Sequence, residues 1–235
     1  MFIGSSIRKY VISHHFFFEH PDFKWPEERK FEKNLLLLHS WITSFAANKK
    51  LALSFNYAVN IQEKKLFIIP PLLRKKILNS IPVNSGHIHI YTLNHGYVED
   101  IQDWCKINPE IQVNMFSNFI DIPHTNQSNL KLFSYDEETY IDSLKSCSRV
   151  ICTSGFETPA EAIFLNKPLE VIPAGNHFEQ SCNALDLERS GLGKRTLKLI
   201  SGDKLFNANE AKKGIYRQWV KDAEKQVLSC LCPQY

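Results

Sequence analysis

The segment from Arg149 to Gly193 constrains the fold of this chain more than any other part. The apolar run Val150–Cys152 ends at a small-residue turn, Thr153-Ser154-Gly155, and a helix pattern begins near Thr158 with a proline next to it. Proline suits an early helical position, where its missing N–H would have no helical partner in any case. The turn thus brings free N–H groups and the positive end of a helix dipole to the carboxyl end of a strand, where a phosphate fits.

Strand and helix patterns alternate through the second half of the chain. This alternation predicts right-handed βαβ crossovers and a mostly parallel sheet, whose ligands lie above the carboxyl ends of its strands. The predicted strands are Ile88–Leu93, Gln112–Phe116, Leu130–Phe133, Val150–Cys152 and Leu169–Ile172. The predicted helices cover residues 98–107, 137–147, 158–166 and 179–190, and a long amphipathic helix covers about 209–231.

The N-terminal segment has fewer such units. Strands are predicted at Tyr10–Ile12, Lys50–Phe55 and Lys65–Ile69, which are too few for a sheet domain, so the segment looks like the end of a domain. A helix is predicted from Pro26 to about Ala46. Its helical spacing places five apolar residues on one face, namely Phe31, Leu35, Leu38, Ile42 and Phe45. The cluster Phe16–Phe18 is expected to be exposed.

Composition excludes several function classes. The chain has 235 residues, 43% of them apolar, and a net charge of +3 that is too small to indicate a nucleic-acid partner. Basic clusters such as Lys49-Lys50, Lys64-Lys65 and Arg74–Lys76 fit either a solvated face or contact with an anionic membrane. The six cysteines form no CxxC pair and indicate reduced thiols of a cytoplasmic protein. No apolar run approaches the roughly 20 residues of a spanning helix, and no signal peptide is recognisable.

Short motifs follow one another through the constraining segment at fixed spacing. They are Ser154-Gly155, Thr158, Glu161-Ala162, Lys167-Pro168, Ile172-Pro173, Glu179-Gln180, Asn183-Ala184 and Gly191-x-Gly193. Their order and spacing resemble the C-terminal, nucleotide-sugar-binding half of GT-B glycosyltransferases. Within that fold they resemble the branch of the bacterial GlcNAc transferase that forms lipid II, in glycosyltransferase families 28 and 1. A weaker resemblance covers 66–200, including Phe67–Leu72 and Tyr91–Gly96.

The resemblance implies an α/β fold of GT-B type and a domain division. Residues 1–78 would be the remnant of a truncated, Rossmann-like acceptor-side domain, and 79–86 a linker. Residues 87–207 would form the Rossmann-like donor-binding domain, and 208–235 a C-terminal helix that packs back toward the N-terminal part. The short N-terminal part leaves three explanations open: a fragment of a longer enzyme, a natural truncation without turnover, or half of a split enzyme.

The resemblance also implies donor-binding residues. Glu161 would accept hydrogen bonds from the ribose hydroxyls, since an ionised carboxylate is an acceptor that suits a diol. Ser154 and Gly155, with Thr158 beside them, would hold the diphosphate. The structural alternatives are a helix-dipole glutamate for Glu161 and a plain strand turn for Ser154-Gly155.

Further residues would bind the sugar and the base. Glu179 and Gln180 would bind the sugar hydroxyls, or else form an N-terminal cap pair. Asn183 belongs to the same donor motif, where it braces the loop more than it touches sugar. Ser134 and Tyr135 are the candidates for contact with the nucleobase.

Members of this branch invert the anomeric centre without a metal ion or cofactor, so none is expected here. His15 is the candidate catalytic base, and His95 would face the departing diphosphate; the alternative for each is an ordinary turn histidine. The predicted reaction transfers a hexose or N-acetylhexosamine from a nucleoside-diphosphate sugar, with UDP favoured, to a glycan, lipid or small-molecule hydroxyl. A nucleotide-sugar 2-epimerase and a non-catalytic binding or scaffold subunit remain alternatives.

The expected partners are the nucleotide sugar, the acceptor, and either a partner subunit or a second copy, without nucleic acid. Peripheral contact with the inner face of a membrane, through the basic clusters and Phe16–Phe18, is a further hypothesis. For Phe16–Phe18 the alternative is a place in the core.

Overall fold

The structure, a computed structural model, describes residues 8–26, 29–93, 95–118, 125–198, 206 and 208–232, with the backbone alone for His95. The chain divides into two compact units. The first comprises Met1–Leu72 and Trp219–Tyr235, and the second Leu73–Gln218. The division into residues 1–78, 79–86, 87–207 and 208–235 stays a prediction.

The first unit is built on a three-stranded parallel sheet. Its strands are β1 (Tyr10–Ser13), β2 (Lys49–Leu53) and β3 (Leu66–Ile69), in the order β1-β2-β3. The expectation that this segment has too few strands for a sheet was wrong, because parallel pairing joins strands that are distant in sequence. Helix α1 (Lys30–Thr43) begins later than the predicted Pro26, and α8 (Ala223–Leu231) also lies in this unit.

The phenylalanine cluster Phe16–Phe18 is buried rather than exposed. It lies in a 3-10 turn, His14–Glu19, and its three side chains are 1%, 4% and 2% exposed. Phe18 packs against Phe23 with ring centroids 4.8 Å apart. The prediction of exposure was wrong because the tight turn directs all three consecutive rings into the interior.

The apolar face of α1 points outward. Helical spacing placed its residues correctly on one face, yet their side chains are between 50% and 72% exposed, namely Phe31, Leu35, Leu38, Ile42 and Phe45. Trp41, at 60%, extends this surface. Within α1 the buried residue is Ser40, whose hydroxyl donates to Glu19 at 2.5 Å. We call these six apolar side chains the α1 face.

The second unit contains a six-stranded sheet in which every pairing is parallel, in the order β6-β5-β4-β7-β8-β9. The strands are β4 (Ile88–Tyr91), β5 (Val113–Ser117), β6 (Leu130–Ser134), β7 (Arg149–Thr153), β8 (Leu169–Ile172) and β9 (Lys194–Arg195). The α/β fold class with parallel sheets is thus confirmed. The strand order reverses between β4 and β7, and such a switch point opens a ligand crevice at the strands' carboxyl ends.

The helices of the second unit fall close to their predicted places. They are α2 (Lys75–Leu78), α3 (Val98–Ile107), α4 (Glu137–Ser146), α5 (Glu157–Phe164), α6 (Phe178–Ser190) and α7 (Glu210–Lys221), the last of which runs past the unit boundary at Gln218. The predicted single helix over 209–231 was wrong. Asp222 leaves helical geometry, with ψ near 5°, and separates α7 from α8.

The core of the second unit lies between the sheet and α3. Ile88 and Ile90 on β4 pack with Met115 on β5 and Ile151 on β7, and all four side chains are at most 2% exposed. Helix α3 covers them with Ile101. Burial of both faces explains why these strands appear in the sequence as near-continuous apolar runs.

Candidate functional site

The predicted donor-side residues follow strands that end at one edge of the sheet. Ser154 and Gly155 come directly after β7, while Ser134 ends β6 and Tyr135 follows it. Helix α5 begins at Glu157, and Glu161 lies one turn further on. Because all six strands are parallel, these segments share the carboxyl edge, which includes the switch point.

The loop after β7 is held by hydrogen bonds from two directions. The Ser154 N–H donates to the Ile172 carbonyl at 3.0 Å, and the Ser154 hydroxyl donates to the Gln180 carbonyl at 2.8 Å. The Asn183 side chain donates to the Ser154 carbonyl at 3.1 Å. Ser154 is buried, so its hydroxyl fixes the loop on α6. Beside it, a Cβ built on Gly155 would meet nothing within 4 Å, which leaves open space.

The two residues predicted to bind sugar have different surroundings. The Gln180 side-chain oxygen accepts from the Ala174 N–H at 2.9 Å, and the residue is buried. This bond fixes the loop between β8 and α6. Glu179, in the first turn of α6, is half-buried. A carboxylate in that position is stabilised by the helix dipole.

Glu161 is bound by an arginine that sequence reasoning did not include in the site. Arg74 Nε donates to Glu161 Oε1 at 2.7 Å, and a terminal nitrogen donates to Oε2 at 2.6 Å. The side chain of Glu161 is 4% exposed and that of Arg74 is 30% exposed. Such two-point pairing is the strongest form of charge-assisted hydrogen bond between side chains.

Arg74 has two further partners. Its other terminal nitrogen donates to the Tyr135 hydroxyl at 2.9 Å, and its guanidinium carbon lies 5.3 Å from the centre of the Tyr140 ring. Burial raises the pKa of Glu161, and the hydrogen bonds from Arg74 oppose that rise. A guanidinium can only donate, so two short bonds to both oxygens describe an ionised carboxylate.

Other contacts fix α5 in place. Thr158 Oγ1 and the Tyr140 hydroxyl share a hydrogen bond of 2.8 Å, and the Tyr216 hydroxyl donates to the Ala160 carbonyl at 3.0 Å. Thr158 is buried and so acts on the site through the packing of its helix. Glu161 therefore projects from a helix that both α4 and α7 hold.

Three residues of the sequence motifs have structural roles. Lys167 Nζ is buried and donates to the carbonyls of Val83 at 2.5 Å and Cys147 at 2.8 Å. Gly191 ends α6 in the left-handed region at φ 71°, where glycine has no Cβ penalty. At Gly193 a Cβ would lie 2.7 Å from Leu187 Cδ2.

The two predicted catalytic histidines remain predictions. His15 lies in the first unit, where its Nδ1 is 2.7 Å from the Ser13 hydroxyl and its Nε2 is 3.1 Å from the Thr43 hydroxyl. Burial lowers the pKa of His15 to about 4, and His39 adds to the effect, so the ring is neutral at pH 7. The side chain of His95 lies outside the described residues.

The described residues were also searched for metal ligands and for membrane spans. Among them no group of three or more His, Cys, Asp or Glu side chains could hold a metal ion. None of the helices in the described ranges combines the length and the hydropathy that crossing a bilayer requires.

Arg74 was missed as a site residue although it was visible in the sequence. It opens the basic run Arg74-Lys75-Lys76, which was interpreted as a solvated or membrane-facing cluster. Its neighbours differ from it, since Lys76 pairs at the surface with Glu137 at 3.1 Å. The signal that separates Arg74 is its residue type, because a guanidinium makes two-point bonds that an ammonium does not.

The strand order, the turn after β7 and Glu161 on α5 define a GT-B-type α/β protein, and solved glycosyltransferases share the fold. The glycotransferase of kitacinnamycin superimposes with a TM-score of 0.58 at 14% identity, over 88% of this chain and 63% of that one. SnogD from Streptomyces nogalater gives 0.51 at 12% identity, over 86% and 62%. These similarities establish the fold alone.

A family model described as "Glycosyl transferase family 1" matches residues 20–206. The chain belongs to that family. A curated relative, an uncharacterized glycosyltransferase from Methanosarcina acetivorans, is 29% identical over 154 residues, which cover 60% of this chain and 39% of the relative. The chain thus spans well under half the length of that relative and less than two thirds of the two solved glycosyltransferases.

Proposed function

We propose that this chain is a glycosyltransferase, or the donor-binding half of one. It takes a hexose or N-acetylhexosamine from a nucleoside-diphosphate sugar, with UDP as the nucleotide, and passes it to an acceptor hydroxyl with inversion and without a metal ion. The observation that carries the proposal is the position of Glu161. It lies on the helix that starts beside the carboxyl end of β7, next to the strand-order switch point. The closer relationship to the lipid II-forming branch of family 28 remains part of the proposal.

Each donor group has a counterpart in the second unit. The backbone after β7, with the open space at Gly155, takes the diphosphate near the N-terminus of α5. Glu161 accepts from the ribose hydroxyls, and Ser134 and Tyr135 flank the base. Glu179 takes the sugar hydroxyls, while Gln180, Asn183 and Thr158 hold the loops and the helix that form this surface.

The transfer itself needs a proton acceptor and charge stabilisation. The acceptor oxygen attacks the anomeric carbon from the face opposite the leaving group, its proton goes to a base, and the bond to the diphosphate breaks. Positive helix ends at the sheet edge stabilise the charge on the leaving diphosphate. His15 as the base and His95 beside the diphosphate remain candidates for these steps.

Calorimetric titration of the full chain with UDP, TDP, GDP, ADP and CDP tests the donor site. One diphosphate should bind, and Glu161→Gln should weaken it by about 1.5–3 kcal/mol, or roughly 10- to 100-fold, the range for hydrogen bonds to a charged group. The matched control is Glu157→Gln, which removes the same charge from an exposed position on the same helix. A folded chain that binds none of the five would contradict the proposal.

Product analysis with the matching nucleotide sugar separates the alternatives. Transfer to an acceptor, or slow release of free sugar, supports the transferase. An epimerised sugar would indicate a 2-epimerase, and binding without any product a scaffold subunit.

The α1 face is the surface we propose for a protein partner, either another subunit or a second copy. Large apolar side chains in such numbers on one exposed helix face mark interaction sites in soluble proteins. Light scattering after size exclusion should show self-association that Trp41→Ser with Phe45→Ser reduces. Binding to anionic vesicles but not to itself would instead support the membrane hypothesis, now placed on the α1 face because Phe16–Phe18 are buried. A cytoplasmic location remains part of the proposal.

A further inference from the structure

The carboxylate proposed to receive the ribose is covered in this structure. Arg74 occupies both oxygens of Glu161 at 2.7 Å and 2.6 Å, and the side chain of Glu161 is only 4% exposed. Its helix is packed from the other sides, with Tyr140 and Tyr216 near the carboxylate. A ribose diol therefore reaches Glu161 only if the guanidinium moves aside.

Arg74 is able to move because it is the more exposed partner. Its side chain is 30% exposed and is held by the Tyr135 hydroxyl and the face of the Tyr140 ring, both of which allow a pivot. Leaving Glu161 nevertheless has a cost, because the guanidinium gives up two short charge-assisted bonds. The nearest other carboxylate is Glu137, 3.7 Å from Arg74, but it is 45% exposed and already pairs with Lys76. Solvent screens such a pair.

These contacts bear on which ligands the site accepts, and the inference rests on the proposed function. We propose that Arg74 is a specificity-determining residue that makes the ribose site selective for phosphorylated nucleosides. The ribose hydroxyls replace the guanidinium on Glu161, and the negative charge of the diphosphate supplies its new partner. A nucleoside without phosphates breaks the same ion pair and offers no anion in return.

This arrangement makes an unusual prediction for a variant. Arg74→Met removes the cover from Glu161 together with the positive charge. Uridine should then bind more tightly than to the wild type, because it no longer has to displace the guanidinium. UDP should bind more weakly, because its phosphates lose a partner.

The test is titration of the full chain with uridine and with UDP at pH 8, with the nucleosides and diphosphates of T, G, A and C run beside them. Arg74→Met should weaken the diphosphate about tenfold or more, as expected for a lost charge-assisted bond, and tighten the nucleoside severalfold. The matched control is Lys76→Met, which removes one positive charge two residues away at the surface and should change neither affinity. Circular dichroism confirms that each variant is folded.

Arg74→Lys provides a second variant if the methionine form does not fold. Lysine keeps the charge but cannot bind both oxygens at once, so it should tighten uridine while it largely keeps UDP. Equal weakening of both ligands, or no change in either, would overturn the inference while the donor site itself stands. If none of the diphosphates binds, or Glu161→Gln leaves binding unchanged, the proposed function fails and the inference with it.

Discussion

The Asn183 side chain donates to the backbone carbonyl of Ser154 at 3.1 Å, and this bond joins helix α6 to the loop that follows β7. Both residues are buried. The loop proposed to hold the diphosphate is therefore shaped from behind by a residue that sequence reasoning grouped with the donor ligands. The geometry agrees with its interpretation as a brace.

Asn183→Ala should lower the free energy of unfolding by about 1–3 kcal/mol, because the Ser154 carbonyl would lose a partner in a buried place. Binding of the nucleoside diphosphate should weaken as well, since the loop is no longer fixed. Urea denaturation and calorimetry measure the two effects. Ser181→Ala, on the same helix but half-buried, is the control, and equal effects of the two substitutions would argue against the brace.

Two glycine substitutions should separate folding from binding. Gly155→Ala meets nothing within 4 Å, so stability should change by less than about 1 kcal/mol, while the methyl group occupies the space proposed for the diphosphate and weakens its binding. Gly193→Ala places a Cβ 2.7 Å from Leu187, and such overpacking should cost about 1–3 kcal/mol. If Gly155→Ala binds as the wild type does, the phosphates lie elsewhere.

Acid should destabilise the fold through two histidines. Burial lowers the pKa of His89 to about 3, and it also lowers that of His87. The unfolded chain takes up these protons first, below the ordinary value of 6.5. The free energy of unfolding should therefore fall between pH 6.5 and pH 4, by at most about 1.4 kcal/mol per pH unit for each residue. His89→Phe should flatten this slope and His177→Gln, at an exposed position, should not.

Asp186 should act in the opposite direction. Burial raises the pKa of this carboxyl to about 7, against the charge of Arg189. The folded state therefore keeps the proton that the unfolded chain has lost, so stability falls as the pH rises from 3.8 to about 7. Asp186→Asn removes this loss, and its advantage should grow by at most about 1.4 kcal/mol per pH unit over that interval. Denaturation at several pH values, with Glu188→Gln as the control, gives the result.

The βα rhythm of the second unit was predictable because its strands are buried on both faces. Val150–Cys152 and Leu169–Ile172 are continuous apolar runs with turn residues after them, and such runs mark parallel strands. The carboxyl edge followed from the same pattern, since polar motifs come directly after two of these strands. The GT-B-type fold therefore needed only local information.

Pairing across the unit was not predictable in the same way. Arg74 and Glu161 are 87 residues apart, and a spacing rule for one helix or one turn says nothing about such a pair. The α1 face shows the other limit. Periodicity identified an apolar face through Phe31 and Phe45, but what covers a face depends on the surrounding protein. The 3-10 turn at Phe16–Phe18 has no period that a search for helices or strands detects.

The central place of β4 in the sheet has a consequence for synthesis on the ribosome. Ile88 pairs with Val113 of β5 on one side and Arg149 of β7 on the other. At about 5–20 residues per second, several seconds pass between the emergence of β4 and that of β7. During that time a strand with two fully apolar faces has one neighbour only. Nascent chains stalled before β7 should therefore be captured by chaperones, and those stalled well beyond β8 should be released into the folded state.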